Sequence, residues 1–395
     1  MQHYDVIVLG AGAAGLMCAG IAGQRGLRVA VLEKAAKPGK KILISGGGRC
    51  NFTNLGAGPA NFLSANPHFA KSALARYTPA DFIALVNKHG IDWHEKTLGQ
   101  LFCDGSAKQI VQMLLDESPD SVDVICEAEV TMVVKDGPDF AVCASGQSYS
   151  APALVIATGG PSIPKMGATG FAYDLARQFG LKVVEPRPAL VPLTLGGDDV
   201  LFRELSGVSA PVLASAGKTR FEEAALFTHK GLSGPAILQV SSYWRHGEEI
   251  GIAFLPAAET EWLLAAKRDR PRITVKAILR EHLPDRLADA LADKLGIEQE
   301  LGNTSDKALR EAALRLSNWR FAPTGTEGFA KAEVTIGGIA TSELSSRTME
   351  VRKVPGLYAT GEAVDVTGWL GGYNFQWAWA SGVACGEACG EAIAQ

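Results

Sequence analysis

The residues with the clearest chemical purpose lie near the start of the chain. Gly10, Gly12 and Gly15 form a G-x-G-x-x-G pattern. In this pattern the first glycine permits a tight turn, the second lets the backbone approach a pyrophosphate, and the third lets a helix pack against a strand. An acid, Glu33, follows 18 residues after the last glycine, where it can accept hydrogen bonds from both ribose hydroxyls. The spacing predicts a site for FAD or NAD, and the acid disfavours a 2′-phosphate.

Two strands and a helix are predicted to position these residues. Residues 4–9 form a short run rich in β-branched side chains, which favours a buried parallel strand, and residues 28–32 form a second predicted strand. Between them, residues 16–25 predict a helix whose first amides and dipole would hold the phosphates. The strand–helix–strand order predicts an α/β fold with a Rossmann-type FAD-binding domain.

Other segments favour a flat, polar ligand such as FAD. Residues 45–51 combine three consecutive glycines with serine, arginine and asparagine side chains. Residues 154–160 and 356–362 each predict a strand that ends in a turn, and both resemble nucleotide-contacting or flavin-domain strands of flavoproteins. A helix predicted from Gly371-Gly372 to about residue 393 could direct its N-terminus at the flavin N1–C2=O edge, where it would stabilise negative charge.

Composition excludes several classes of protein. The 395 residues include 38 basic and 42 acidic side chains, and the net charge of −4 excludes a uniformly basic nucleic-acid binder but leaves room for a local basic patch. The seven cysteines contain no C-x-x-C pair, so we predict no metal site and no redox dithiol. No apolar run of about 18 residues predicts a membrane span, and the acid at position 5 argues against a signal peptide. We expect a cytoplasmic protein without a stable protein partner.

Three longer motifs resemble those of one flavoprotein family. They are K-x-L-x-S-G-G-G-R-C-N-x-T-N at residues 41–54, F-T-H-K-G-L-S-G-P at 227–235 and G-G-Y-N-x-Q-W-A at 371–378. Together they resemble the BaiN-like flavoproteins, which include aminoacetone oxidases and bile-acid ring reductases, over nearly the whole chain. Similarity through residues 93–104 and 343–350 is greatest to the subgroup that acts as dihydrouridine synthases on 23S ribosomal RNA.

Two positions depart from the broad family. Phe171 follows Thr169-Gly170 where many members have an acid, which argues against a flavin contact at position 171. Cys103 follows Leu101-Phe102 where many members have a proline, and this separates the subgroup from the oxidases.

The resemblance implies that FAD is bound by residues from both ends of the chain. The implied cofactor-binding residues are Gly10, Gly12, Ala14, Gly15, Glu33, Lys34, Lys41, Ser45, Gly46, Gly47, Arg49, Cys50, Asn51, Val130, Thr158, Gly159, Gly361, Glu362, Gly372, Asn374 and Phe375. FAD is expected rather than FMN because the glycine pattern and Glu33 are suited to bind a pyrophosphate and a second ribose, which FMN lacks. Since the chain has one dinucleotide motif, NAD(P)H would visit the flavin transiently and leave before the substrate binds.

The FAD domain must be discontinuous, because its last strand and helix lie beyond residue 350. We predict that it comprises residues 1–189 and 336–395. Alternating apolar residues predict a β-rich, barrel-like inserted domain over residues 190–257 and 320–335, and helical spacing predicts a small helical domain over 258–319. We expect the β part to face the flavin and the helical part to lie farther out.

A basic stretch in the predicted helical domain has two interpretations. Its seven cations against three acids are a local excess of four positive charges in an acidic chain. The stretch is either a solvated helix face or a landing site for the phosphates of 23S ribosomal RNA. Its cations are Lys267, Arg268, Arg270, Arg272, Lys276, Arg280 and Arg286.

Two side chains are candidates for the chemistry itself. Reduction of a uracil C5=C6 bond requires a hydride at C6, which FAD would supply, and an acid that protonates C5. Barrel-type dihydrouridine synthases, which are unrelated, use a cysteine as this acid, so by analogy we predict that Cys103 is the donor, on a loop near the flavin. Cys50, in the glycine-rich loop, is expected to pack rather than react. His229, beside Lys230, is either a substrate-binding or enolate-stabilising group or a plain loop histidine.

Three functions of different class remain open at this point. The chain could reduce a C=C bond in ribosomal RNA, or act on a small metabolite as an amine oxidase or enone reductase. It could also be a flavin-containing assembly factor without turnover. The basic stretch and Cys103 favour the first function over the second, and the complete set of flavin contacts favours either enzyme over the third.

Overall fold

The core of the fold is a five-stranded parallel sheet to which both ends of the chain contribute. The structure is a computed structural model that describes residues 1–259 and 261–393. Four of the five strands are buried along their whole length, as expected for a parallel sheet covered on both faces. In sheet order the strands are Leu357–Ala359, Ala153–Ile156, Val6–Leu9, Val29–Leu32 and Val122–Ile125.

The first and last helices of the chain pack against each other through small residues. Helix Ala13–Gln24 lies along helix Tyr373–Ile393. A Cβ atom at Gly382 or Gly386 would lie 2.7 or 2.6 Å from a carbonyl oxygen of the first helix. Glycine at these two positions therefore lets the helix backbones approach closely. This contact joins the two ends of the sequence into one domain.

By its contacts the chain divides into two units. The first, called the FAD unit below, comprises Met1–Arg187 and Val334–Gln395, and the second, the inserted unit, comprises Pro188–Glu333. These boundaries differ by two residues from the predicted limits at 189 and 336. The further division of the inserted unit into a β part and a helical part stays a prediction.

Smaller sheets and helices complete the FAD unit. A four-stranded sheet has the order Gln2–His3, Gln147–Ala151, Asp139–Ala144 and Val130–Asp136. A three-stranded sheet has the order Asn51–Asn54, Gln100–Cys103 and Trp93–Glu95. Two-stranded pairings join Phe62–Leu63 with Thr367–Gly368 and Val183–Ala189 with Val334–Ile339. The remaining α-helices are Lys40–Ile44, Lys71–Arg76, Pro79–Lys88, Ala107–Asp116 and Phe171–Gln178.

The inserted unit is built on an antiparallel sheet of seven strands. Phe202 packs against this sheet, with its ring centroid 4.9 Å from that of Phe321. In sheet order the strands are Trp319–Phe321, Ile250–Ala253, Ser209–Ala216, Thr219–Phe227, Gly231–Ser233, Leu193–Thr194 and Gly325–Thr326. Its α-helices are Pro235–Ser241, Trp262–Asp269, Val275–Arg280, Asp285–Leu295 and Asp306–Ser317.

The predicted α/β fold with a Rossmann-type sheet is confirmed, with shifts at the ends of elements. The first helix begins at Ala13, three residues earlier than predicted, because its glycine N-cap lies within the G-x-G-x-x-G pattern itself. Within residues 1–259 and 261–393, the helices are too short or too polar to cross a membrane.

Candidate cofactor site

Four predicted segments meet at the carboxyl ends of the parallel strands. The glycine loop follows strand Val6–Leu9, and Glu33 follows the neighbouring strand Val29–Leu32. Thr158-Gly159 and Gly361-Glu362 follow the two strands on the other side. Ligands of open α/β sheets bind at this edge. The fold therefore brings the dispersed candidate residues together at one place.

The glycine loop leaves room for a phosphate at one of its three glycines. A Cβ atom at Gly15 would lie 2.0 Å from the Gly10 carbonyl oxygen, so packing requires this glycine. A Cβ atom at Gly12 would meet no described atom within 4 Å. Helix Ala13–Gln24 begins directly after Gly12 without a side-chain cap, which leaves its first amides available to an anion. This cradle fits the pyrophosphate of FAD, and Ala14 lies in the same first turn.

Backbone amides anchor the Glu33 carboxylate. One carboxylate oxygen accepts a hydrogen bond from the Ala11 amide and the other from the Ala35 amide, each at 2.8 Å. Each oxygen retains a second lone pair for a further donor. Glu33 therefore holds the glycine loop in place and can still receive ribose hydroxyls.

Lys34 and Val130 lie beside this acid. The Glu33 carbonyl accepts a hydrogen bond from the Ala128 amide at 2.9 Å, which places the start of strand Val130–Asp136 next to the end of the Rossmann strand. Lys34 pairs with Glu129 at 2.6 Å. The two predicted residues thus belong to the same edge of the site.

Glu362 is held by an ion pair and two further hydrogen bonds. Its carboxylate lies 2.5 Å from the Lys41 Nζ atom. Its other oxygen accepts hydrogen bonds from the Ser162 hydroxyl at 2.8 Å and from the Thr335 amide at 2.9 Å. The Lys41 ammonium also donates to the Ser162 hydroxyl at 2.5 Å. The structure therefore joins Lys41 and Glu362, which were predicted separately, in one network.

A second group of predicted residues surrounds the glycine triplet. The triplet has left-handed φ angles, and a Cβ atom at Gly46 would lie 2.7 Å from the Phe102 ring. A Cβ atom at Gly372 would lie 2.4 Å from the Thr53 carbonyl oxygen and 2.9 Å from the Asn51 Oδ1 atom. The triplet loop, strand Asn51–Asn54 and the start of the last helix are thus packed directly against one another.

The other predicted residues of this loop differ in accessibility. Gly47 and Arg49 are exposed, and a Cβ atom at Gly47 would meet no described atom within 4 Å. Ser45 donates its hydroxyl to the Ile42 carbonyl at 2.8 Å. The exposed positions are the ones from which the loop could contact a ligand.

Asn374 and Phe375 use their side chains within the protein. The Asn374 amide accepts a hydrogen bond from the Gly368 amide at 2.8 Å and donates to the carbonyls of Gly368 and Trp369. The Phe375 ring stacks on Trp379, with the centroids 5.6 Å apart. Contacts from these two residues to FAD stay a prediction and would come mainly from the backbone.

Several buried polar atoms near the strand ends have no partner in the described part of the chain. The Tyr173 hydroxyl and the Thr335 hydroxyl lie 2.7 and 2.6 Å from the position that a Cβ atom at Gly160 would occupy. Burial, reinforced by Glu362 and Asp365, raises the pKa of Tyr173. Buried polar atoms are almost always hydrogen-bonded, so these atoms indicate a polar ligand or ordered water. The unpartnered atoms are Asn51 Oδ1, Thr158 Oγ1, Tyr173 Oη, Thr335 Oγ1 and Thr360 Oγ1.

The prediction that Cys103 lies on a loop is wrong. Cys103 ends strand Gln100–Cys103 and is fully buried, because this strand pairs with strands on both sides. Burial raises the pKa of its thiol to about 11, and Asp104 adds to the effect. Its amide donates to the Arg49 carbonyl at 3.0 Å, which places Cys103 beside the glycine-triplet loop. Cys50, also buried, has a pKa raised by desolvation.

His229 belongs to the inserted unit, in the turn between strands Thr219–Phe227 and Gly231–Ser233. Its side chain is exposed, and its carbonyl accepts a hydrogen bond from the Arg203 Nε atom at 2.8 Å. The neighbouring Lys230 pairs with Glu327 at 3.0 Å. A substrate contact from His229 stays a prediction.

Most cations of the basic stretch are already paired within the inserted unit. Arg270 forms two hydrogen bonds with Glu281, at 2.7 and 2.9 Å, and Arg280 forms two with Asp289, both at 2.7 Å. Lys267 pairs with Asp306, Lys276 pairs with Asp289, and Arg286 donates to backbone carbonyls. Of the seven cations in the basic stretch, only Arg268 and Arg272 have neither an ion pair nor a hydrogen bond with another described residue.

Sequence reasoning missed three polar residues of the site. Ser162 bridges Lys41 and Glu362, and Tyr173 and Thr335 present buried hydroxyls beside Gly160. The only signal for Ser162 was its position just after the Gly159-Gly160 turn. Tyr173 and Thr335 had no local signal, because a helix and a distant strand bring them to the site.

Comparison with protein families identifies the chain. A model described as "HI0933-like protein Rossmann domain" matches residues 4–388. The chain belongs to this family. Ribosomal RNA dihydrouridine synthase of Escherichia coli is 52% identical over 98% of both chains, and the protein of the same name from Haemophilus influenzae is 46% identical over 97% of this chain and 98% of its own. The 3-dehydro-bile acid delta(4,6)-reductase of Clostridium scindens is 29% identical over 96% of this chain and 97% of its own.

Solved structures show the same fold at low sequence identity. The 3-ketosteroid-delta4-(5alpha)-dehydrogenase of Rhodococcus jostii covers 98% of this chain and 97% of its own, with a TM-score of 0.50 and 14% identity. The predicted family resemblance is confirmed by the family model and the bile-acid reductase relative. By its family the chain is an FAD-dependent oxidoreductase.

Proposed function

We propose that the chain reduces the C5=C6 bond of a uracil base in 23S ribosomal RNA, with electrons from NAD(P)H. The observation that carries this proposal is the 52% identity to a ribosomal RNA dihydrouridine synthase over 98% of both chains. An identity that spans both units includes the parts that bind substrate as well as those that bind FAD. An RNA substrate of this kind also implies a cytoplasmic reaction.

Different residues of the site would bind different parts of FAD. Glu33 would bind the adenosine ribose, and the first amides after Gly12 would bind the pyrophosphate. The Lys41–Glu362 pair, fixed by Ser162, would position the ribityl chain. When bound, FAD supplies the hydride that uracil C6 accepts. The protein's further task is to orient the base and to deliver a proton to C5.

Cys103 is the proposed source of that proton. With a pKa of about 11, its thiol stays protonated at neutral pH, as a proton donor requires. Its connection to Arg49 through the backbone supports a location near the glycine-triplet loop. Because the thiol is fully buried, the strand end that carries it must shift when substrate binds. The S–H bond would then break as the C5–H bond forms, and the resulting thiolate would take up a proton from solvent.

A second candidate function is reduction of a C=C bond in a small metabolite. The observation that favours it is the 29% identity to a bile-acid reductase over 96% of this chain. The lower identity ranks it below the ribosomal RNA substrate.

Turnover of purified protein separates these two functions. The FAD-loaded protein is incubated with unmodified 23S ribosomal RNA, made by transcription in vitro, and with NADH or NADPH. Nuclease digestion and mass spectrometry then detect dihydrouridine as a gain of two hydrogens. We expect dihydrouridine at one or a few positions, and none when the reduced nicotinamide is left out. Oxidation of NAD(P)H by an enone, with no dihydrouridine in the RNA, would favour the second function.

A further inference from the structure

Four exposed lysines of the FAD unit form a patch without acidic partners. They surround the short helix Lys40–Ile44, and we call them the lysine patch: Lys37, Lys40, Lys108 and Lys165. None of the four forms an ion pair with a carboxylate of the described residues.

Contacts within the unit make this patch continuous. The Lys40 Nζ atom donates to the Met166 carbonyl at 3.2 Å, which places it beside Lys165. A Cβ atom at Gly39 would lie 2.6 Å from the Val111 side chain, so helix Ala107–Asp116 packs on the segment that carries Lys37 and Lys40. Lys108 lies one helical turn before Val111 and thus on the same side of that helix.

Several other cations of the FAD unit are paired with nearby acids. Lys34 pairs with Glu129 at 2.6 Å, and Lys88 pairs with Glu117 at 2.5 Å. The basic stretch of the inserted unit is largely paired in the same way. A cation that is already paired must give up its partner to bind a phosphate, whereas an unpaired lysine loses only water and counterions. The basic stretch is the strongest sequence signal for RNA binding, but most of its cations are already paired. The four lysines of the patch form no ion pair among the described residues and are therefore more available to a phosphate.

We propose that the lysine patch contacts the backbone phosphates of the RNA substrate. This inference rests on the proposed function. Lysine is a flexible point charge that suits phosphate contacts, which position an RNA without reading its sequence. A protein partner fits less well, because lysine is depleted in protein–protein interfaces. The patch begins four residues after Glu33 and flanks Lys41, so an RNA bound there would lie at the FAD site.

Two charge-reversal variants compare the lysine patch with the basic stretch as RNA-binding surfaces. The patch variant is Lys40→Glu/Lys165→Glu, and the matched control is Arg268→Glu/Arg272→Glu in the basic stretch. Each variant replaces two exposed positive charges by negative ones. Binding of unmodified 23S ribosomal RNA is measured as a function of salt, and FAD content is measured by absorbance. We expect the patch variant to bind RNA about tenfold more weakly, with a salt slope lower by about 1.5, while the control binds like the wild type.

The other outcomes are distinguishable. Equal weakening of both variants, or weakening of the control alone, would overturn the lysine patch and leave the proposed function standing. Loss of binding to ribosomal particles but not to naked RNA would indicate a protein partner and would also overturn it. If the wild type itself shows no salt-dependent binding to the RNA, the proposed function fails and the patch proposal fails with it. FAD content equal to that of the wild type excludes a folding defect as the cause.

Discussion

The Glu33 side chain fixes the glycine loop and is placed to bind the ribose of FAD, so its replacement should weaken FAD binding. Its carboxylate fixes the amides of Ala11 and Ala35 and is placed to receive the ribose of FAD. Replacing Glu33 by alanine removes hydrogen bonds to a charged acceptor, each worth about 1.5–3 kcal/mol. We expect the affinity for FAD to fall by more than about tenfold. The measurement is the retention of FAD through dialysis, with Glu33→Gln as the control that keeps the shape. Normal retention by Glu33→Ala would contradict this role.

Cys103 allows a sharper test of the proposed proton transfer. Cys103→Ala should keep FAD bound and reducible by NAD(P)H, yet lose about 10²–10⁴ in the rate of substrate reduction. His229→Ala is the comparison for a substrate-binding role and should raise KM more than it lowers kcat. Wild-type turnover by Cys103→Ala would assign the proton to another group or to water.

The raised pKa of Cys103 also predicts a pH dependence. A thiol with a pKa of about 11 remains protonated as the pH rises through neutrality, so the acid form persists up to about pH 10. The Cys103-dependent rate of substrate reduction should therefore be level from about pH 7 to pH 10 and fall as the pH approaches 11. A loss centred near pH 8.5, the range of an ordinary cysteine, would mean that the thiol is solvated in the working enzyme.

Residue-level prediction from sequence is easiest where a motif has a fixed backbone geometry. The glycine loop and Glu33 lie next to each other in the structure, as their spacing predicts, and their contacts with FAD stay a prediction. The burial of Cys103 was missed because it results from pairing with strands on both sides, which the local sequence does not reveal. Ser162 was missed for a similar reason, since its partners Lys41 and Glu362 are far away in sequence. Tyr173 was missed because the folding of helix Phe171–Gln178 places its buried hydroxyl beside Gly160.

At the level of elements, two glycines of the loop that is proposed to hold the phosphates have different surroundings. A Cβ atom at Gly12 meets no described atom, whereas one at Gly15 would lie 2.0 Å from a backbone oxygen. We expect Gly12→Ala to fold with nearly unchanged thermal stability without FAD, yet to bind FAD poorly because the methyl group fills the phosphate cradle. Gly15→Ala should lower the thermal stability of the protein even without FAD. Thermal unfolding and FAD titration of both variants provide the measurement.

Normal FAD binding by Gly12→Ala would contradict this prediction, because the phosphates would then not use the start of helix Ala13–Gln24.

The elements themselves were largely predictable, since burial on both faces gives continuous apolar strands. The way in which the first and last helices pack was not predicted, because it depends on Gly382 and Gly386 facing a helix more than 350 residues away in sequence.

At the scale of the whole molecule, the sequence predicted a discontinuous FAD domain with an insertion. The two units of the structure have boundaries within two residues of that expectation. Charge distribution was harder to predict, because the basic stretch contains cations whose acidic partners, Asp289 and Asp306, lie outside it in sequence. The expectation that the β part of the insertion faces the flavin stays a prediction.

The central claim is that this chain reduces uracil in 23S ribosomal RNA. The most direct test is mass spectrometry of ribosomal RNA from cells in which its gene is deleted, compared with the same cells carrying the gene on a plasmid. We expect the deletion to remove dihydrouridine from 23S RNA, the intact gene to restore it, and a gene with Gly12→Ala not to restore it. Dihydrouridine that persists at wild-type level in the deletion strain would show that this chain does not reduce uracil in 23S RNA.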